Sequence, residues 1–377
     1  MLNRKQTEPQ LSKYLHAKGR ALGLPIAGNF ELTARCNFDC PMCYVHLKSE
    51  DVEAAGRELS AEQWISIARE AKDEGMVFAL LTGGEPFVRS DFFEIYHAMK
   101  QMGIMVSINS NGSMLKGEVL RRLIDDPPFR VNVSLYGGSN ETYRRMCGRA
   151  AFDDVIENIA ALKNAGIDVR LNVSVTPYNE GDVEDICACA EKLGVHMKLA
   201  SYMYPSVRVN GGKYGYGDRL SPEKAAAASV RWDVLRFDDE TFSKRAEAMA
   251  ELRLTEEPEC PVDSDEGVGC RAGSTSFWMT WDGRMVPCGM MTFPVVHPLE
   301  LGFKAAWQEL RRATSEIRLP PKCKTCPKRS VCAMCAAVCV TETGEFGKVP
   351  EYVCRMTDAV ISQTKAAYEE RKSENGN

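Results

Sequence analysis

Short apolar runs alternate with stretches of helical periodicity along the first two hundred residues. Residues 28–34 are the first apolar run, and it enters a cysteine loop. Ser60 is placed to cap a helix, with Glu62 and Gln63 in its first turn and Trp64, Ile67, Ala68 and Ala71 recurring at helical spacing. Residues 77–82 form the next expected strand, closing on Gly83-Gly84-Glu85-Pro86. Further strands are expected at 105–109, 130–136, 168–176 and 196–200. Helices are expected from near Ser90-Asp91 and over 115–124, 152–165 and 183–193. The strands are short and β-branched, as in a parallel sheet covered by helices. About six such units predict an α/β fold built on a partial (β/α)6 barrel rather than a full eight-fold one. Glycine and polar residues collect at the strand ends, where barrel sites form.

The alternation stops after Tyr202. Residues 204–218 are rich in Gly, Tyr and Asn and are expected to form a loop, and 221–252 are helical and charged. Trp281-Asp282-Gly283, inside 275–286, is a hairpin signal. The expected organisation is a lead-in at 1–27, the barrel at 28–203 and linking helices at 204–255. A small cysteine-rich domain with a β-hairpin and helices follows at 256–356, then a C-terminal helix and tail at 357–377.

Composition narrows the chemistry. The net charge is −5, with no long run of Lys or Arg, so neither nucleic acid nor an anionic membrane is an expected partner. No apolar run is long enough to cross a bilayer, and the polar N-terminus has no secretory apolar segment. A cytoplasmic location, with reduced thiols, is expected. Fifteen cysteines then point to metal rather than disulfides. Three fall at 36–43 and nine between 260 and 354, which suggests two separate metal-binding regions. Of the three between, Cys187 and Cys189 are read as small buried or half-buried helix residues, and Cys147, near the rim of the expected site, as incidental rather than catalytic.

Cys36, Cys40 and Cys43 form C-x3-C-x2-C, followed by Tyr44. An iron–sulfur cube takes four thiolates, so three leave one iron open to an external chelating ligand. On the residues alone a zinc loop completed by His46 is the alternative. The motif and its place after the first strand resemble the radical S-adenosylmethionine (SAM) superfamily. That resemblance implies Cys36, Cys40 and Cys43 as ligands of a [4Fe–4S] cluster and reductive cleavage of SAM to a 5′-deoxyadenosyl radical. It also implies that Gly83, Gly84 and Glu85 receive the SAM amino group. Asn109 and Ser134 would contact its ribose or methionine part. Arg149 would pair with its carboxylate, with Arg144 and Arg145 as rivals, and Asn172 would face the cofactor.

The later cysteines, in order and spacing, resemble the SPASM extension of that superfamily, which carries two auxiliary [4Fe–4S] clusters. With the barrel, the resemblance covers nearly the whole chain. It implies Cys260, Cys270, Cys288 and Cys335 for the nearer cluster and Cys323, Cys326, Cys332 and Cys354 for the farther one. The spacing departs from the family pattern at Cys335, so Cys339 competes with it. A zinc ribbon is the alternative on spacing alone. Three clusters and SAM are thus the implied cofactors, served by an external electron donor such as flavodoxin or ferredoxin.

SPASM relatives modify peptides, and the expected function is an oxidoreductase that matures a ribosomally made peptide by a thioether or carbon–carbon crosslink or another oxidative change. Gly289 stands where sulfatase-maturing enzymes carry an aspartate, which disfavours that activity. The short lead-in leaves leader recognition to a separate protein or to the barrel. The alternatives are a radical SAM dehydrogenase or epimerase acting on a small molecule, and a non-catalytic iron–sulfur or zinc protein.

Overall fold

The computed structural model describes residues 10–45, 47, 58–205, 218–252 and 267–375. The alternation is realised as six parallel strands: β1 (Ala27–Glu31), β2 (Phe78–Thr82), β3 (Met105–Ser110), β4 (Arg130–Ser134), β5 (Val169–Ser174) and β6 (His196–Ala200). Each pairs with its neighbour in sequence. The two-residue period divides their side chains. Phe30, Leu81, Val106, Ile108, Val131, Val133, Leu171 and Val173 are buried, while Asn29, Asn109, Asn132, Ser134, Asn172 and Ser174 stay partly accessible on the opposite face.

The helix Ala61–Asp73 begins as its sequence dictates. Ser60 and Gln63 close a reciprocal capping box, and Trp64, Ile67, Ala68 and Ala71 are buried. Trp64 meets Phe30 edge-on, at 6.0 Å between ring centroids. The helix Asn140–Cys147 is not expected from sequence: it is short, and its buried stripe is only Thr142, Tyr143, Met146 and Cys147, between a Ser139 cap and a left-handed Gly148.

The hairpin signalled by Trp281-Asp282-Gly283 forms, as β7 (Ser276–Met279) and β8 (Met285–Val286). Its position is not legible in the sequence. β7 lies parallel to β1, so one eight-stranded sheet runs β6-β5-β4-β3-β2-β1-β7-β8. Without β7, β1 would present an unpaired edge. Phe277 secures the junction, packing against Phe30, Phe303 and Trp307. The helix Phe303–Ser315 is tied to the first half of the chain, with Trp307 Nε1 donating to Gly23 O (2.7 Å) and Phe303 N to Glu70 Oε2 (2.9 Å).

The charged segment 221–252 divides into helices Pro222–Arg236 and Asp239–Ala250, both packed on the last helix, Glu351–Asn375. That last helix begins six residues before the expected 357, which brings Cys354 into its first turn. A second, smaller core holds Ile317, Leu319, Met334, Val338 and Val353, with Tyr202, Tyr204 and several cysteines at its margin. Among the described residues no helix is long and apolar enough to cross a membrane.

Candidate active site

β1 and β2 keep pairing beyond the sheet. Leu32 N donates to Thr82 O, Gly84 N to Thr33 O (2.8 Å) and Glu85 N to Arg35 O (2.9 Å). A Cβ on Gly83 would lie 2.4 Å from Thr33 O, and one on Gly84 would lie 2.2 Å from Arg35 O. From sequence these glycines are expected to admit a ligand. They line the cavity, yet what requires them is the backbone of the cysteine loop. Gly84→Ala is expected to push that loop aside and to lower SAM cleavage at least tenfold, about 1.4 kcal/mol in the barrier. Reconstituted Gly84→Ala protein that cleaved SAM at the wild-type rate would show the contact to be unimportant.

The loop brings three thiols to one cavity. Cys36, Cys40 and Cys43 all line it, with Met42, Tyr44, Gly83, Gly84, Asn109, Asn111, Ser134, Tyr136 and Ser174. Cys43 N donates to Cys40 O (3.1 Å), closing the turn between them. Cys36 Sγ accepts from Phe38 N (3.4 Å) and Asn111 Nδ2 (3.7 Å). Burial pushes the Cys36 thiol far above the ordinary range. Cys40 is raised as well, first by its hydrogen bond with Cys147 and then by burial. Cys36 and Cys40 therefore hold their protons and would have to release them to bind a metal.

The donor set fits an iron–sulfur cube with one open corner. Cys147, read from sequence as incidental, is 1% exposed, and it lies against Cys40 rather than on the cavity wall. Among the described residues no fourth cysteine lines the cavity, and no three His, Cys, Asp or Glu side chains converge as ligands of a single ion. His46 and Cys260 lie outside the described residues.

The cofactor-binding residues expected from sequence are distributed as follows. Gly83, Gly84, Asn109 and Ser134 line the cavity, and Asn132 Nδ2 holds Asn109 Oδ1 (2.9 Å). Asn172 shares their face of the sheet, but Ser174 is the β5 residue on the cavity wall. Arg149 is exposed beyond the left-handed turn at Gly148, and neither it nor Arg144 or Arg145 lines the cavity. Asn111 and Tyr136 each lie two residues beyond an expected contact, Asn109 and Ser134. Both stand on the cavity wall.

Glu85 differs most from expectation. A carboxylate that receives the SAM amino group is expected; here its side chain is wholly buried. Ser110 Oγ donates to both its oxygens (3.0 Å each), Asn111 N to Oε2 (2.7 Å) and Phe87 N to Oε1 (3.3 Å). It joins the β2 loop to the β3 loop. Burial outweighs these donors and raises its pKa to about 7. The native carboxyl thus keeps its proton at pH values where the unfolded chain has lost its own, so this group favours folding most below pH 4.5, and stability declines as pH rises toward about 7. In metal-free protein, Glu85→Gln should flatten that part of the pH–stability curve. An unaltered decline in chemical denaturation would contradict the assignment.

Two further cysteine groups stand in the C-terminal half. Tyr204 has the thiols of Cys335, Cys288 and Cys270 as neighbours, with Tyr204 Oη 3.9 Å from Cys335 Sγ; burial, then these thiols, raise its pKa. Cys323 is pushed up to about 12 by burial and by Cys354, Cys332 and Cys326. Cys339 is fully buried inside the helix Ala336–Thr343, whereas Cys335 stands at that helix's N-cap, half-buried. Cys270 and Cys288 open onto the β1–β7 side of the sheet beside Arg20, Asn29, Arg271 and Trp278. A Cβ on Gly289 would meet the Trp278 ring at 2.8 Å. The hairpin turn also reaches the first site, where Trp281 packs with Ala34, Cys43, Tyr44 and Val45.

Comparison with known proteins agrees with this geometry. Residues 30–190 match the model of the radical SAM superfamily. The "AdoMet-dependent heme synthase" of Methanosarcina barkeri is 24% identical over 84% of this chain and 93% of its own length. A "Probable GTP 3′,8-cyclase" of Saccharolobus islandicus is 38% identical, but the match takes in 44% of this chain and only 53% of the cyclase. The fold is shared with Streptococcus suis SuiB, solved with S-adenosylmethionine, at TM-score 0.65 and 17% identity over 92% of this chain and 81% of SuiB. The cysteine loop, the cavity that it faces and the parallel sheet beneath them are those of a radical SAM domain spanning residues 30–190, and the chain is an enzyme that carries it.

Proposed function

We propose that this chain is a radical SAM oxidoreductase of the SPASM type, with three [4Fe–4S] clusters, acting on a peptide as a maturase of ribosomally made precursors. The observation that carries the reading is three thiols on one loop facing one cavity, with no fourth cysteine on its wall among the described residues. Cys36, Cys40 and Cys43 would hold the first cluster, which with SAM on its open iron supplies reductive cleavage and hydrogen abstraction. Cys270, Cys288 and Cys335, with Cys260, would hold the second, and Cys323, Cys326, Cys332 and Cys354 the third. Cys335 is preferred to Cys339 because it stands beside Tyr204 and is the more accessible. Gly83, Gly84, Asn109 and Ser134 would shape the SAM pocket. Glu85 and Asn111 fix the loops around it, and Asn111 also donates to a ligand sulfur. Arg149 and Asn172 would join only when SAM is bound. An external flavodoxin or ferredoxin supplies the electron.

Peptide as substrate is supported by the shared fold of SuiB, which was also solved with its precursor peptide SuiA. A second reading, a small-molecule substrate, is favoured by the heme synthase match along nearly the full chain. Anaerobically reconstituted protein should contain roughly a dozen irons per chain for three cubes. With reductant and SAM it should release 5′-deoxyadenosine. Zinc in place of iron, or persistent absence of that product, would overturn the proposal.

A further inference from the structure

The sheet face that bears the cavity residues Ser134 and Ser174 carries a second chemistry below them. Strand alternation places Arg130 on the face of Ser134, Arg170 on that of Ser174, and His196 and Lys198 beside them. The register sets Arg170 opposite Asn132 on one side and His196 on the other, and Lys198 opposite Asn172. Arg170 lies four residues before Ser174, about 13 Å down the strand from the cavity wall.

This wall is cationic in a chain whose net charge is −5. Arg130 is neutralised, its Nε donating to Asp168 Oδ2 at 2.6 Å. Arg170 feels the same Asp168 carboxylate, but it forms no ion pair with it and its buried Nε has no hydrogen-bond partner. Lys198 is exposed and forms no ion pair among the described residues. Burial lowers the pKa of Arg170, Arg130 adds to that and Asp168 opposes it; burial also lowers His196, with Arg170, Lys198, Arg130 and Arg236 adding to it. Across the same face Arg20 and Arg271 stand beside Asn29 and Trp278, and the carboxylate there, Glu31, is buried and accepts from Trp278 Nε1 at 3.0 Å. Arg170 and Lys198, on the far strands, are left with a net positive charge that an anion would offset.

We propose that Arg170 and Lys198 bind a carboxylate of the substrate at the floor of the barrel, and hold the rest of it up toward the cofactor cavity. The inference rests on the radical SAM reading and specifies its substrate class. The strand spacing calls for a long molecule, either a peptide with an acidic side chain or a large polycarboxylic acid.

The test uses the full, cluster-loaded chain with SAM bound. Calorimetric titrations would compare an Ala/Glu peptide with its Ala/Gln counterpart, and trimesate, a rigid tricarboxylate, with its triamide. The acidic member of at least one pair should bind and the neutral one should not, and added salt should weaken binding. Arg170→Gln and Lys198→Gln, with iron–sulfur absorbance confirming intact protein, should each weaken that binding about tenfold, as loss of one charge-assisted contact implies. Binding of the peptide alone identifies a peptide source, and binding of trimesate alone a small acid. The proposal is overturned if neither acid binds, if acid and amide bind equally, or if both variants bind as the wild type does. Measured on the wild-type chain, 5′-deoxyadenosine release without added substrate reports the cofactor site separately, so a chain that cleaves SAM but ignores both acids refutes this inference alone.

Discussion

Replacing Cys36, Cys40 and Cys43 together by alanine is expected to lower 5′-deoxyadenosine formation by at least a thousandfold, about 4 kcal/mol in the barrier. The three thiols belong to one loop, and among the described residues no other cysteine on the cavity wall could take over. Cys147 is buried behind Cys40, so it is badly placed as a substitute. The C-terminal cysteines border a separate core with its own helices and would load independently. The triple variant should therefore retain roughly eight of a dozen irons, as two cubes require. Cleavage at even a tenth of the wild-type rate would show that the radical chemistry begins elsewhere.

The largest effect on stability is expected at Arg219. Its guanidinium meets Glu342 with two hydrogen bonds, of 2.6 and 3.1 Å, and the two side chains are 10% and 7% exposed. Tyr202 Oη donates to the same carboxylate at 2.6 Å, and Arg219 stacks on Tyr352 at 4.1 Å. Arg219→Met would leave Glu342 buried and without its cation, a loss of about 3–5 kcal/mol. Arg219→Met combined with Glu342→Met should recover most of it, because both charges are then gone. Denaturant melts of the metal-free chain would measure both. A single-variant loss below about 1 kcal/mol would mean that water reaches the pair. The functional consequence is positional. Tyr202 and Tyr204 follow β6, and Tyr204 stands against Cys335, so the ion pair fixes the C-terminal cysteines relative to the barrel.

How much of this was legible in the sequence depends on how local each cause is. The six βα units follow from apolar periods of two and three to four residues, and their bounds agree with the structure to within a few residues. The Ser60 capping box is a four-residue signal and was read directly. The position of β7 was not, because pairing with β1 joins residues some 250 apart, and no local pattern records it. The helix Asn140–Cys147 escaped because its apolar stripe spans barely one turn, Tyr143, Met146 and Cys147 among polar residues. At the site, Cys36, Cys40 and Cys43 were legible from spacing alone. The orientation of Glu85 was not: its identity says carboxylate, but Ser110 and Asn111, on the next strand's loop, decide where it points. The cationic wall was hidden for a similar reason. Arg130, Arg170, His196 and Lys198 are scattered in sequence, and only strand register sets them side by side.

The account stands on an iron that the protein leaves open to SAM. Electron–nuclear double resonance on the reduced chain, with SAM labelled in its amino nitrogen, examines that iron itself. A hyperfine coupling from the label, lost in the Cys36/Cys40/Cys43 triple alanine variant, is the expected result. No coupling in reduced, iron-replete wild-type protein saturated with SAM would contradict it.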